Sequence, residues 1–398
     1  MRPPPLFIND CGIVTALGCG KEQVAGALFS GHRGAIVLRD DLVPGQSVYV
    51  GAVSGDLPAL SPALADYDCR NNRLMQVALA EIASAVDKAL TRYGRNRVAV
   101  VLGTSTSGMA EGEAALAGQR KSGLWPEKFH YQQQEIGGIS AFAAHYFGLT
   151  ALSYTIGTAC SSSAKVFASA RRLINAGIAD AVIVGGADTL CGMTLNGFNS
   201  LGLLSPEKCN PFSVNRKGIT IGEGASAFLV SRDESSVQLL GIGETSDAYH
   251  TTAPDPVGAG ARKAMLQALS DAELNPDDIS YINLHGTATP LNDAMEATAV
   301  ASVFGSRIPC GSSKGMTGHM LGATGGCEAG FLWLALNLAA NPGRLPPHAW
   351  DGRVDPALPT LNFVTPDTLL PQRTRLAMLS NSFGFGGSNT SLIFGRSI

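Results

Sequence analysis

Ser153-Tyr154-Thr155-Ile156-Gly157-Thr158-Ala159-Cys160-Ser161-Ser162-Ser163-Ala164-Lys165 passes from a β-prone segment, through a corner of small residues, into a helical pattern. Ala164, Val166, Phe167, Ala168, Ala170, Leu173 and Ile174 carry that pattern onward, so Cys160 falls at a strand-to-helix junction. The first N–H groups of a helix lack intrahelical partners and carry partial positive charge. A thiolate placed there is stabilised, and its pKa can fall from roughly 8.5 to about 3.5–7.5. Position alone leaves two readings open, a nucleophile or a buried structural thiol. Partners elsewhere in the chain decide between them.

Outward from this junction the same alternation recurs. Residues 6–14 read as a strand, 21–29 as a helix, and 31–66 as loops and short strands. A long helix is expected over 73–90, followed by the continuous apolar run 97–102, the pattern of a strand buried on both faces. The loop 103–108 sits at the carboxyl end of that strand, a usual ligand position in parallel sheets, but it has no phosphate-loop motif. The aromatic, Gln-rich stretch 121–134 is expected to form a cap or a subunit contact. Residues 181–186 read as another buried strand, and 219–230 as strands punctuated by glycines.

The polar segment 231–236 is the best internal boundary, giving halves at 1–232 and 233–398. Strands and helices alternate again over 237–241, 262–272, 281–284, 293–304, 308–311, 326–338 and 376–394. Two halves of similar rhythm indicate a duplicated α/β architecture with mainly parallel strands.

With 398 residues, 45% hydrophobic and 15% charged, the chain can bury a generous core. A net charge of -3 and no Lys/Arg cluster argue against nucleic acid as a partner. The eight cysteines form no CxxC pair and no cysteine–histidine zinc spacing, so no metal is expected and reduced thiols point to a cytoplasmic protein. The N-terminus MRPPPLFIND lacks the layout of an export signal. The longest apolar run, 329–340, is too short to span a membrane and reads as a buried core helix.

Two histidines stand at strand ends in the second half. His285 lies in Asn283-Leu284-His285-Gly286-Thr287-Ala288-Thr289-Pro290, before a helix rich in Asp293 and Glu296. His319 lies in Ser313-Lys314-Gly315-Met316-Thr317-Gly318-His319-Met320-Leu321-Gly322, which leads into the apolar helix containing Glu328. Near the C-terminus, Asn381-Ser382-Phe383-Gly384-Phe385-Gly386-Gly387-Ser388-Asn389 is dense enough in glycine to aim backbone N–H groups at a substrate oxygen, and equally suits a tight β-turn.

Taken together, TACSSS, HGTATPLND, SKGMTGHMLGATGG and NSFGFGGSN resemble, in order along nearly the whole chain, the β-ketoacyl-acyl carrier protein synthases. The resemblance implies a thiolase-like, duplicated five-layer α-β-α-β-α fold, normally dimeric, and a Cys-His-His site. Cys160 matches the acyl-accepting nucleophile; His285 and His319 match the histidines of malonyl decarboxylation. Lys314 matches a lysine that orders the site, and Glu328 the acid behind it. Thr287 and Thr289 match contacts to the phosphopantetheine arm, the backbone N–H groups of Cys160 and Phe385 an oxyanion hole, and Phe383 and Phe385 a gate. The implied partner is acyl carrier protein, whose phosphopantetheine carries the substrates, with no separate cofactor.

The context Cys160-Ser161-Ser162-Ser163-Ala164-Lys165 is closer to polyketide-type enzymes, and Thr106 stands where elongation enzymes shape an acyl tunnel. Both resemble the synthases of aryl-polyene pigment clusters. A thiolase needs a second cysteine in the glycine-rich motif, and an acetyl-CoA-priming enzyme an asparagine in place of the second histidine; neither is found. A non-catalytic chain-length-factor-like subunit usually lacks the nucleophile, although such a subunit could replace one half of a homodimer. An acidic carrier needs a basic landing patch, for which Arg70, Arg73, Lys128, Arg171 and Arg172 are the candidates.

Overall fold

The computed structural model describes residues 4–341 and 343–397; Met1, Arg2, Pro3, Pro342 and Ile398 lie outside it, as does that part of the N-terminal export reading. The first half supplies β1 (Leu6–Thr15), α1 (Arg70–Tyr93), β2 (Val98–Gly103), α2 (Gly138–Phe147), β3 (Ser153–Ile156), α3 (Ser162–Asn175), β4 (Ala181–Asp188) and β5 (Gly224–Ser231). The second supplies β6 (Val237–Ser246), α4 (Ala259–Ala272), β7 (Tyr281–Asn283), α5 (Pro290–Phe304), β8 (Pro309–Gly311), α6 (Thr324–Leu336), β9 (Arg375–Gly384) and β10 (Ser388–Ser397). The stretch expected to hold loops and short strands carries an antiparallel hairpin, Ile36–Val43 with Gln46–Gly51.

Strand order repeats between the halves. The first half's sheet runs β1-β5-β4-β2-β3 and the second's β6-β10-β9-β7-β8, the same permutation of chain order, and antiparallel pairing of β1 with β6 joins the two edge to edge into one continuous sheet. In both, the two pairings nearest the first strand are antiparallel and the other two are parallel. The expectation of mainly parallel strands is therefore corrected. An apolar run reports burial on both faces and carries no information about strand direction.

Alternate residues along the strands enter different cores, which fixes the layers. Ala99 and Val101 of β2 face the central core, while Val98, Val100 and Leu102 face α1 and α2 on the outside. In β9, Leu376 and Met378 point to the central core and Ala377 and Leu379 to the outer core shared with α4 and α5. α3 and α6 pack against each other between the two sheets, completing the five-layer thiolase-like fold. Every residue of α6 is buried, and the helix stops at Leu336.

The central helices meet closely at their N-termini. A Cβ at Gly325 would lie 2.7 Å from the Cβ of Ala164, and one at Gly326 2.4 Å from the Oγ of Ser226. Instead, the N–H of Gly326 donates to the Ser163 hydroxyl at 2.7 Å. This approach brings the start of α3, with Cys160, beside the turn that carries His319. Phe167 of α3 fastens the layers, with its ring 5.2 Å from Phe228 of β5 and 5.5 Å from Phe394 of β10.

Replacing Phe167 with alanine is expected to cost about 3–5 kcal/mol, read from urea unfolding. A loss below about 1 kcal/mol would mean that the central layer collapses around the gap.

Candidate active site

Ser161, Ser162 and their neighbours build the turn that presents Cys160. The Ser162 hydroxyl donates to the Ala159 carbonyl at 2.6 Å and accepts from the Thr158 N–H at 2.9 Å; the Ser161 hydroxyl donates to the Thr158 carbonyl at 2.9 Å. These bonds hold Ala159 at φ +51°, a left-handed conformation that costs an L-residue roughly 1–2 kcal/mol. Cys160 then lies immediately before the Ser161 cap of α3.

The expected lowering of the Cys160 pKa is overturned. Burial dominates and pushes the thiol up to about 11, against the N–H of Phe385, the charge of Lys314 and the cysteine's own N–H. A helix N-terminus stabilises a thiolate, but loss of hydration outweighs it here. The two opposing N–H groups, of Phe385 and Cys160, are those expected to form an oxyanion hole.

His285 follows β7, and His319 precedes the turn Leu321–Ala323. Their rings lie 5.3 Å apart at 88°, and one donor atom from each, with the Cys160 sulfur, falls within 4.8 Å of the others. Burial, then the charge of Lys314, holds both imidazoles well below their ordinary pKa, so both are neutral near pH 7. The Leu321 N–H donates to Nδ1 of His319 at 2.9 Å. A backbone N–H can only donate, so Nδ1 carries the lone pair and Nε2 the proton. That Nε2 has no hydrogen-bond partner among the described residues.

Behind the histidines, the Lys314 ammonium is buried, donating to Glu328 at 2.6 Å and to the His285 carbonyl. Burial raises the Glu328 pKa, and Lys314 opposes it. A second carboxylate received no role from the sequence. Glu296 of α5 accepts the His285 and Gly286 N–H groups, each at 2.8 Å, while burial lifts its pKa to about 7. Asp293, one turn earlier, accepts from Phe212 at 2.7 Å and Ala288 at 3.2 Å. Two acids three residues apart on an otherwise uncharged helix were the available signal.

A cavity of about 330 Å³ opens onto the three reactive side chains. Thr287 and Thr289 line it with their hydroxyls 2.9 Å apart, as do Phe383, 6.0 Å from the His285 ring, and Phe385, 5.6 Å from Phe198. Lys217, which sequence reasoning missed, is the lining's only Lys or Arg; it is exposed and pairs with Glu207 at 3.1 Å. Thr106 is not part of this lining. Its N–H and hydroxyl are both spent on Asp188, at 2.7 Å each, so it shapes no wall of the cavity. Four of the five expected landing residues are engaged in ion pairs: Arg70 with Glu223, Arg73 with Asp68, Arg171 with Asp271 and Arg172 with Glu244. Lys128 is exposed.

Residues 49–236 match the family description "Beta-ketoacyl synthase, N-terminal domain", and residues 237–347 match "Beta-ketoacyl synthase, C-terminal domain". The ketosynthase ApeO of Xenorhabdus doucetiae, solved with its chain length factor ApeC, is 43% identical, with a TM-score of 0.93 over 99% of this chain and 98% of that one. This chain belongs to the β-ketoacyl synthase family. Among curated members, 3-oxoacyl-[acyl-carrier-protein] synthase 2 of Staphylococcus aureus is 36% identical, the match spanning 60% of each chain. Nodulation protein E of Rhizobium leguminosarum bv. trifolii is 37% identical over 65% of this chain and 66% of its own length. No helix among the described residues is long and apolar enough to cross a membrane.

The buried thiol predicts how this β-ketoacyl synthase reacts with iodoacetamide at Cys160. Alkylation should be slow at pH 7 and climb about tenfold per pH unit toward a midpoint near 11. A plateau below about pH 7.5 would mean a resting thiolate.

Proposed function

We propose that the chain is a β-ketoacyl-acyl carrier protein synthase, an acyltransferase that joins an acyl group held on Cys160 to a malonyl unit with loss of CO₂. The convergence of one thiol and two neutral imidazoles within 4.8 Å, at a cavity lined by two threonines, carries this reading.

In the first half-reaction the Cys160 sulfur attacks a carrier-bound acyl thioester. Its proton ends on the departing pantetheine thiol, so no net charge remains in the pocket. The tetrahedral oxyanion takes hydrogen bonds from the N–H groups of Phe385 and Cys160; losing one such donor typically costs about 10²–10³ in rate. In the second, the bond from the malonyl carbon to its carboxylate breaks and CO₂ leaves. The electron pair passes to the thioester oxygen, where the Nε2–H of His319 and the imidazole of His285 meet the growing charge. The resulting carbon nucleophile attacks the acyl-Cys160 carbonyl. Cys160 leaves as thiolate, giving a β-ketoacyl thioester, and takes one proton from solvent to return to the resting thiol.

Lys217 at the cavity offers a charge to the phosphodiester of a phosphopantetheine arm, and Thr287 and Thr289 offer hydroxyls to its amides. Partners follow from this reading: an acyl carrier protein, and either a second copy of the chain or a chain-length-factor-like subunit, as in the Xenorhabdus relative. The Ser161-Ser162-Ser163 context supports an aryl-polyene assignment, whereas Thr106 no longer does. A cytoplasmic location fits the eight free cysteines. The intact site disfavours a non-catalytic subunit, and a thiolase would need a second cysteine in the glycine-rich turn.

Intact-mass spectrometry after mixing with acyl-carrier thioesters tests the assignment, with Cys160→Ala alongside and with or without a chain-length-factor-like subunit. A gain equal to the acyl group, lost in the variant, is the expected result. No gain with any acyl group, even with the second subunit present, would overturn it in favour of a non-catalytic role.

A further inference from the structure

Asp188, the last residue of β4, is fully buried and forms no ion pair among the described residues. Its charge is held by donors alone. One oxygen, Oδ1, accepts from the Thr104 hydroxyl at 2.8 Å, the Ser105 N–H at 2.8 Å, and the N–H and hydroxyl of Thr106 at 2.7 Å each. The other, Oδ2, accepts from the Ala323 N–H at 2.9 Å. One carboxylate thus joins the loop after β2 to the turn Leu321–Ala323, across the boundary between the two halves.

Two further features show that the turn is built onto this carboxylate. A Cβ at Gly322 would lie 2.7 Å from the Ser105 Oγ and 2.9 Å from Asp188 Oδ2, so any larger residue would lift the turn away. Leu321, a non-glycine residue, is held at φ +48°, a conformation that persists only where surroundings over-determine it. The same Leu321 supplies the N–H that fixes the lone pair of His319 on Nδ1, supported by the Thr324 hydroxyl at 2.9 Å.

We propose that Asp188 is a positioning residue for His319: by anchoring the 321–323 turn it keeps the Leu321 N–H on Nδ1 and hence the proton on Nε2, facing the substrate. The inference rests on the role given to His319 above. Without the anchor, Leu321 relaxes from its left-handed conformation, the N–H leaves Nδ1, and the ring is free to take the other tautomer, with an unprotonated Nε2 toward the enolate oxygen. Decarboxylation needs that proton donor; acyl transfer to Cys160 relies on the N–H groups of Phe385 and Cys160 and does not.

The test separates the half-reactions. Asp188→Asn keeps the shape but turns an NH₂ donor toward either the four donors at Oδ1 or the Ala323 N–H. Gly322→Ala displaces the turn while leaving the carboxylate intact. For each variant, acylation of Cys160 is followed by intact mass and CO₂ release from malonyl-carrier thioester is timed, beside the wild type and His319→Ala. The expected result is at least about a tenfold slower CO₂ release, with acylation within about twofold of wild type. Normal CO₂ release from Asp188→Asn, or from Gly322→Ala if the first fails to fold, would overturn the inference while His319→Ala still loses it. An equal loss of both half-reactions would reduce Asp188 to a purely structural role and also overturn it. Undiminished release from His319→Ala would instead remove the reading of His319 itself.

Discussion

A single buried cation sets the electrostatics of this site. The Lys314 ammonium has almost no contact with water, and its neutralising partner, Glu328, is equally buried. Burying two charges costs several kcal/mol per ion, and only close geometry with further hydrogen bonds offsets it. The 2.6 Å contact and the His285 carbonyl provide that. The charge favours the thiolate of Cys160 and disfavours the protonated forms of His285 and His319. Burial is the larger cause and this charge the second; together they keep two imidazoles as neutral hydrogen-bond donors in a pocket where negative charge develops on the substrate. An imidazolium would hold a malonyl carboxylate as an ion pair and stabilise the group that must leave.

Duplication of the fold explains how one pocket draws on both halves. Each half threads its strands in the same order and sends one helix, α3 or α6, into the central layer. The nucleophile and one histidine come from these equivalent places, Cys160 from the start of α3 and His319 from the turn before α6, while His285 follows β7. Small residues at their crossing let the two helix starts touch. Gly325 and Gly326 are therefore as much part of the site as the reactive side chains, because bulk there would separate thiol from imidazole.

Much of this was legible in the residues. Strands buried on both faces declare themselves as apolar runs, which placed β2 and β4, and the fully buried α6 was readable from its composition. Motifs at strand ends located Cys160, His285 and His319, and Lys314 with Glu328 came from their resemblance to family positions. What remained hidden depends on three-dimensional balance. Strand direction leaves no mark on an apolar run. Whether a helix N-terminus or burial governs the Cys160 thiol depends on how much water reaches it, which no local pattern records. Thr106 faces Asp188 because a residue 82 positions away carries an unpaired charge. Of the arginines expected at a landing surface, Arg70, Arg171 and Arg172 are held by acids distant in sequence, so exposure and pairing had to be seen. Glu296 accepts mainly, and Asp188 partly, from backbone N–H groups, which every residue but proline has and no motif reveals.

The claim that the pocket works through neutral imidazoles is tested most directly by ¹⁵N spectra of the protein labelled at histidine, titrated from about pH 8 to about pH 5. His285 and His319 are expected to take up a proton well below the pH at which an ordinary histidine does, with His319 showing the pattern of a proton on Nε2. An imidazolium signal from either ring above about pH 6, or a proton on Nδ1 of His319, would contradict the account.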